Sequence, residues 1–212
     1  MNITLRLLAF SGQALSTQVL LGILADYQRP YDKIVDLVKQ GYLVQLRKGL
    51  YITSSNIDSQ QPEPFLIANH LYGPSYISLD SALFYWSLIP ERIFEETSVT
   101  TKLSKRFTSQ HISYSYTHLP SYYYALGIQS VMLTEKQSAM LASPEKALCD
   151  KIVTTAGINL RSHSQTQAFL MEDLRIEKES LQQLNHSEMI TWLPNSPKKN
   201  SLRMLIETIT SL

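Results

Sequence analysis

Two rhythms of apolar residues divide the first 53 positions. From Ile3 to Phe10, Leu5, Leu8 and Ala9 recur at helical spacing, and Ser11-Gly12 ends the run. Ser16 or Thr17 caps a second segment, in which Val19, Leu20, Ile23 and Leu24 share a face. Residues 25–29 form a short connection, and Pro30 suits the first turn of a third helix. There Ile34, Leu37 and Val38 make the buried stripe, opposite Asp32, Lys33, Asp36, Lys39 and Gln40. Gly41 follows where a helix end calls for a left-handed backbone. The rhythm then changes to period two. Val44 and Leu46 alternate with Gln45 and Arg47, and Leu50 and Ile52 alternate with Tyr51 and Thr53, with Lys48-Gly49 as the tight turn. Three helices and a hairpin with a basic tip predict a winged helix-turn-helix over residues 1–53.

Residues 54–64 are polar, contain two prolines and lack periodicity, which predicts a linker. A larger mixed α/β unit is expected over 65–212, giving an α+β chain with a helical C-terminal end. In it, Phe65–Tyr72 has a helical pattern, and Ser78 with Asp80 reads as the start of the next helix. Strands are expected at 98–103, 111–119 and 128–133, rich in Val, Ile, Thr and Tyr. Ser143-Pro144-Glu145 is a helix start with serine as cap and proline first. The segment from Thr166 onward is helical in character, with breaks near Asn185-His186 and over 194–197.

Charge sharpens the picture of the first unit only. Residues 1–53 carry six basic residues against three acidic ones and no glutamate, while 54–160 carry seven against nine and 161–212 six of each. A positive excess at one end fits a nucleic-acid-binding module. On that reading Lys39, Arg47 and Lys48 meet phosphates, Tyr31, Lys33 and Asp36 are placed to read bases, and Arg29 serves either role. Thr101–Thr108 holds a second basic cluster, Lys102, Lys105 and Arg106, read either as a solvated turn or as a second nucleic-acid contact. A single cysteine, Cys149, excludes an internal disulfide and fits a reducing compartment. No apolar run approaches the roughly 20 residues of a membrane span, and residues 1–10 lack a signal-peptide cleavage site, so a cytoplasmic protein is expected.

Four stretches carry a resemblance. They are LVKQGYLVQLRKGLYI (Leu37–Ile52), PSYISLDSALFYWSLIPE (Pro74–Glu91), ASPEKALCDKI (Ala142–Ile152) and MEDLRIEKESLQQL (Met171–Leu184). In this order they resemble the AbiEi family, the antitoxin and autorepressor half of AbiE-type (type IV) toxin–antitoxin systems associated with abortive phage infection. The resemblance implies a winged helix that binds inverted repeats in its own promoter as double-stranded DNA, with self-association on the DNA open. It also implies a C-terminal domain that counteracts a nucleotidyltransferase-like toxin without a stable complex. The family's DNA-binding role falls on residues 30–53. Basic residues before Pro30 are sparse, so the operator sequence does not carry over. Two alternatives remain, a solitary regulator or protein-interaction module without a toxin, and a nuclease-like nucleic-acid-processing enzyme.

The enzyme reading has to find its chemistry in Asp80, Glu91, Glu95, Glu96, Glu145 and Asp150, with Lys102, Lys105 or Lys151 completing a metal site. Glu145 and Asp150 stand five apart on one predicted helix, about 140° round from each other, which does not converge on a cation. His111 and His118, seven apart on one extended segment, face opposite ways about 23 Å apart. The seven glycines form no phosphate-cradling loop. No enzymatic activity, cofactor or metal is expected. Tyr114, Tyr116, Tyr122, Tyr123 and Tyr124 are expected in the core, as tyrosines on strands usually are.

Overall fold

The computed structural model describes residues 3–91 and 93–212. It is a mixed α+β fold with eleven α-helices and two sheets among the described residues. No helix among them is long and apolar enough to cross a membrane.

The first unit runs α1 (Ile3–Leu8), β1 (Leu15–Ser16), α2 (Thr17–Ile23), α3 (Pro30–Lys39), β2 (Leu43–Arg47) and β3 (Leu50–Thr53), with strand order β1-β3-β2. Ser16 caps α2 by accepting a hydrogen bond from the Val19 amide. The end of α3 closes as its glycine demands. Gly41 is left-handed (φ 73°), its amide reaches the Val38 carbonyl, and the Tyr42 amide reaches that of Leu37. In α1 the expected face is rotated, because Leu7 is the buried residue while Leu5 and Leu8 are 60% and 44% exposed. The helix is too short for spacing alone to choose among four leucine and isoleucine positions.

The hairpin has two covered faces. Leu7, Leu15, Leu20, Leu24, Ile34, Leu37 and Leu43 form one core, with Tyr51 packed against it. Leu46, Leu50 and Ile52 point the other way and belong to the core of the larger unit. Strand alternation explains the division, since neighbours on a strand face opposite sides. Thr53, expected to face outward with Tyr51, is fully buried. The β2–β3 pair is therefore a partition with an apolar core on each side.

Residues 54–64, expected as a linker, also hold fixed contacts. Ser54 donates from Oγ to the Gly41 carbonyl, Ile57 packs against the first core, and Gln137 bonds to both the Glu63 amide and the Gln61 carbonyl.

The larger unit comprises α4 (Pro64–Leu71), β4 (Ser75–Ile77), α5 (Leu79–Tyr85), β5 (Glu95–Thr100), β6 (Lys105–Ser109), β7 (Ile112–His118), α6 (Ser121–Tyr124), β8 (Ile128–Thr134), β9 (Gln137–Ala142) and α7 (Pro144–Thr154). Their six strands lie in the order β6-β7-β5-β4-β9-β8, with β5/β7 and β4/β9 parallel and the other pairs antiparallel. Strand β6 interrupts what the sequence presents as one stretch between two predicted strands. Its turn to β7 is made by Gln110 and His111 at φ 50° and 66°, a conformation usually announced by glycine or asparagine. His111 thus sits in a turn and His118 ends β7.

Helices α8 (His163–Ala168), α9 (Lys178–Gln182), α10 (His186–Trp192) and α11 (Lys199–Thr210) complete the unit, with a π-helical turn over Phe169–Asp173. Asn185 caps α10 and the chain breaks again at Leu193–Asn195, both as expected. Lys198, left-handed at φ 48°, donates from Nζ to the carbonyls of Ile152, Thr155 and Ile158 at 2.6–3.0 Å. Its ammonium thereby ties two carbonyls at the end of α7, those of Ile152 and Thr155, to the loop that follows at Ile158.

Candidate functional site

Helix α3 offers solvent a stripe of Asp32, Val35, Asp36 and Lys39, at the spacing of one helical face, with Arg29 and Tyr31 beside it. Tyr31 is 63% exposed. Not all of its charge is unengaged. Arg29 Nε lies 3.0 Å from Asp32, and the Lys33 ammonium sits over the Tyr27 ring at 5.7 Å. Of the residues placed by sequence near the start of this helix, Tyr31 and Asp36 stand clear and Lys33 is drawn back toward the body.

The hairpin tip is more cationic. Arg47 and Lys48 are exposed, and neither makes an ion pair among the described residues. The pairing of β2 with β3 shifts register between Gln45 and Arg47, a bulge that re-aims the side chains after it. Gly49 adopts φ 83° to close the turn, and its carbonyl accepts a hydrogen bond from the Thr17 amide at 3.1 Å. The tip is thus tied to the first residue of α2.

The second basic cluster is divided by strand alternation. Lys105 and Phe107 lie on one face of β6 and Arg106 on the other. Arg106 Nε faces Glu95 Oε1 at 3.4 Å. Lys105 instead lies over Phe107 (4.8 Å) and Tyr72 (5.8 Å), and Lys102 lies over Tyr72 at 5.3 Å. Tyr72, Phe107 and Tyr116 pack against one another in tilted and edge-to-face arrangements, with ring centres 5.2–5.7 Å apart. The Tyr116 phenol is held above its ordinary pKa by burial and by Tyr114, and the Arg47 charge pulls it partly back. So Lys102 and Lys105 lie over an aromatic cluster, and Arg106 does not join them. The sequence groups the three by proximity, which a strand's two faces override.

The carboxylates considered for catalysis are dispersed into separate partnerships. Asp80 pairs with Lys151 (2.7 Å), Glu91 with Arg175 (2.9 Å) and Glu95 with Arg106. Glu145 accepts from Ser143 Oγ and from the Asn185 amide. Asp150 is fully buried; it pairs with Lys146 (2.8 Å) and accepts from Tyr76 Oη (2.9 Å) and Ser78 Oγ (2.8 Å). Ser78 was expected to cap α5 with its side chain, but that hydroxyl goes to Asp150. Lys146 is equally buried, donates to the Tyr123 carbonyl and lies against that ring. Burial pushes the Asp150 carboxyl up and the Lys146 ammonium down, and each opposes the other's shift. Sealed from solvent, this network has no face on which a substrate can sit. Among the described residues, no three His, Cys, Asp or Glu side chains are grouped to hold a metal. The expectation for the tyrosines is met in part. Tyr114, Tyr116 and Tyr123 are buried, and Tyr122 is 63% exposed.

A cleft of about 1050 Å³ opens between α5 and the segment that carries Arg175 and Glu177, walled by Phe65, Phe84 and Tyr85, with Glu96 among its lining residues. Ser81 Oγ donates to Glu96 at 3.0 Å, and burial nonetheless raises the carboxyl's pKa. A carboxyl raised in the folded state weakens folding as pH climbs through and above the ordinary carboxylate range. Glu96→Gln keeps an acceptor for Ser81 and removes that penalty. Thermal unfolding should show the variant more stable at pH 7, with the gap closing toward pH 4. A constant gap across that range would put the effect elsewhere than ionisation.

The sequence matches no protein-family model, and no curated protein matches it. Among solved structures, the chain is similar to the Rv2827c protein from Mycobacterium tuberculosis, at 13% identity and a TM-score of 0.58 over 97% of this chain and 75% of that one. At this identity the likeness speaks for the fold, and the chain shares the mixed α+β architecture of that protein.

Proposed function

We propose that this chain is a DNA-binding transcriptional autorepressor and antitoxin of an AbiE-type toxin–antitoxin system. On this reading residues 1–53 are a winged helix-turn-helix, α3 enters the major groove, and the β2–β3 hairpin is the wing. Residues 65–212 are the antitoxin domain that counteracts a nucleotidyltransferase-like toxin, without a stable complex between the two. The observation that carries the reading is the wing tip, where exposed Arg47 and Lys48, without an acidic partner among the described residues, stand on a turn anchored to α2. An anchored cationic turn beside an exposed helix suits phosphate contact, because little ordering is left to do on binding. The mixed polarity of the α3 face, with Tyr31, Asp36 and Lys39 in solvent, suits the reading of base edges beside it.

The test is a titration of the protein against its own upstream region at several salt concentrations. Wild type should bind in competition with unrelated DNA. Arg47→Ala/Lys48→Ala should bind more weakly, with a slope of log K against log salt shallower by roughly 2, one unit for each lost phosphate contact. Specific binding that ignores both substitutions would remove the wing from the interface.

A second reading, that the first unit contacts protein, is favoured by the outer face of α1 and α2. Leu5, Leu8 and Val19 are 41–60% exposed there. It predicts no specific duplex binding by the wild type at any salt.

A further inference from the structure

We infer that the cleft between α5 and the segment carrying Arg175 and Glu177 is a binding site for a small organic cation, an ammonium group on an apolar body. The inference does not depend on the DNA-binding reading above. It starts from the half-buried Glu96 carboxylate that lines the cleft. Glu96 Oε2 accepts from Ser81 Oγ at 3.0 Å, and that hydroxyl is held in turn by the Thr97 amide, which donates to it at 2.8 Å. Glu96 Oε1 accepts no hydrogen bond among the described residues, and no cation among them pairs with this side chain. Burial thus acts on a charge that a single hydroxyl answers, and it raises the carboxyl's pKa. A cation beside Oε1 would supply the missing counter-charge.

The walls suit the rest of such a ligand. Phe84 and Tyr85 are 44% and 37% exposed, large rings left open along the cleft. Phe65 meets Tyr85 at 5.9 Å, and Tyr85 stands edge-on to Trp86 at 4.9 Å. Trp86 is fixed by donating from Nε1 to the Ala142 carbonyl at 2.9 Å. The end of α5 is closed by the Leu88 amide on the Leu83 carbonyl at 2.8 Å, with Ser87 left-handed at φ 58°. On the opposite side, the Leu174 and Ile176 amides reach the carbonyls of Phe169 and Leu170 at 3.0 and 2.9 Å, which holds the chain on either side of Arg175. The cleft is therefore formed before a ligand arrives, so little ordering is left for binding to impose. Its aromatic faces attract cations as well as apolar groups.

The charge of the surroundings selects the sign. Arg175 is the one basic lining residue among those described, and Glu91 already holds it at 2.9 Å. Glu177 is exposed at the rim and has no ion pair among the described residues. An adjoining pocket of about 510 Å³ shares Ile89, Ile93 and Arg175 with the cleft and adds Asp173, likewise exposed and without a cation among the described residues. Glu96, Glu177 and Asp173 thus give the two cavities an uncompensated negative charge, and apolar walls concentrate its field on a cation. A volume of about 1050 Å³ admits a small organic molecule.

The experiment uses the full chain and phenethylammonium as the probe, with phenethyl alcohol as its neutral counterpart and phenylacetate as an anionic one. Calorimetric titration at neutral pH and fixed ionic strength should show saturable binding of the ammonium, tighter than the alcohol by on the order of tenfold. The melting midpoint of the wild type should rise with the ammonium. Glu96→Gln should erase the ammonium's advantage and leave the alcohol's affinity unchanged. Glu177→Gln, at an exposed position, should reduce that advantage by a smaller factor and keeps the test open should Glu96→Gln misfold. Phe84→Ala should weaken both ligands. Equal affinity for ammonium and alcohol, or for ammonium and phenylacetate, would overturn the site. So would an advantage that survives both carboxylate substitutions, ligand affinities untouched by Phe84→Ala, or no saturable binding into the millimolar range.

Discussion

Asp150→Ala is expected to lower the melting temperature by roughly 6–20 °C, from about 3–5 kcal/mol for breaking a buried pair and about 2–4 °C per kcal/mol in a chain of this size. The cost comes from what the substitution abandons. Lys146 would keep its ammonium at 0% exposure with only the Tyr123 carbonyl as acceptor, and the hydroxyls of Tyr76 and Ser78 would lose theirs. Burial already disfavours both charges, and each is held by the other. A double substitution, Lys146→Met/Asp150→Leu, removes both charges and should recover a substantial part of the loss. Thermal denaturation followed by circular dichroism measures both. Equal losses in the single and double variants would show that cavity and hydroxyl effects, not the stranded ammonium, set the cost. An enzyme using Asp150 as a metal ligand predicts instead a loss of turnover with little change in stability.

Ile52→Ala should cost about 2–5 kcal/mol, the range for emptying a fully buried isoleucine site. Its position gives the substitution a second effect. Ile52 and its neighbours Leu46 and Leu50 turn one face of the hairpin to the larger core, while Leu43 and Tyr51 turn the other to the smaller. Unfolding one side therefore strips the strands that the other side needs. The wild type should melt in a single transition, seen alike by near- and far-ultraviolet circular dichroism. The variant should broaden that transition or split it, with the first unit persisting apart from the second. Two separate transitions in the wild type would mean that the partition does not couple the cores.

Features written in local chemistry were legible in the sequence, and those set by distant packing were not. Pro30 and Gly41 bracket α3 because proline fits a first turn and glycine a left-handed end, and both act within a few residues. Ser143 caps α7 for the same reason. Ser78 carries the same signal before α5, yet its hydroxyl is claimed by Asp150, 72 residues away. Lys146 and Asp150 stand four apart on a helix, a spacing ordinarily found at the surface; only the sheet beneath α7 decides that this pair is sealed. Tyr51 and Thr53 alternate with apolar residues as an exposed face would, but Tyr51 packs against the core of the first unit and Thr53 is fully buried. In the candidate site, Arg47 and Lys48 follow from the turn chemistry of Lys48-Gly49. The aromatic base under Lys102 and Lys105 does not, because Tyr72 lies about 30 residues upstream and meets Phe107 only across the fold.

Lys198 carries a last consequence, one of timing. Among the described residues the smaller core draws on nothing beyond Ile57, whereas the larger one needs Leu202, Leu205, Ile206 and Ile209 of α11, and α7 needs the Lys198 ammonium at its end. During synthesis the first helices can therefore pack early, while Leu46, Leu50 and Ile52 wait uncovered for on the order of ten seconds until about 150 further residues emerge. Through that interval the nascent chain presents an apolar strand pair to its surroundings. Cover for this face is completed only when α11 joins the larger core.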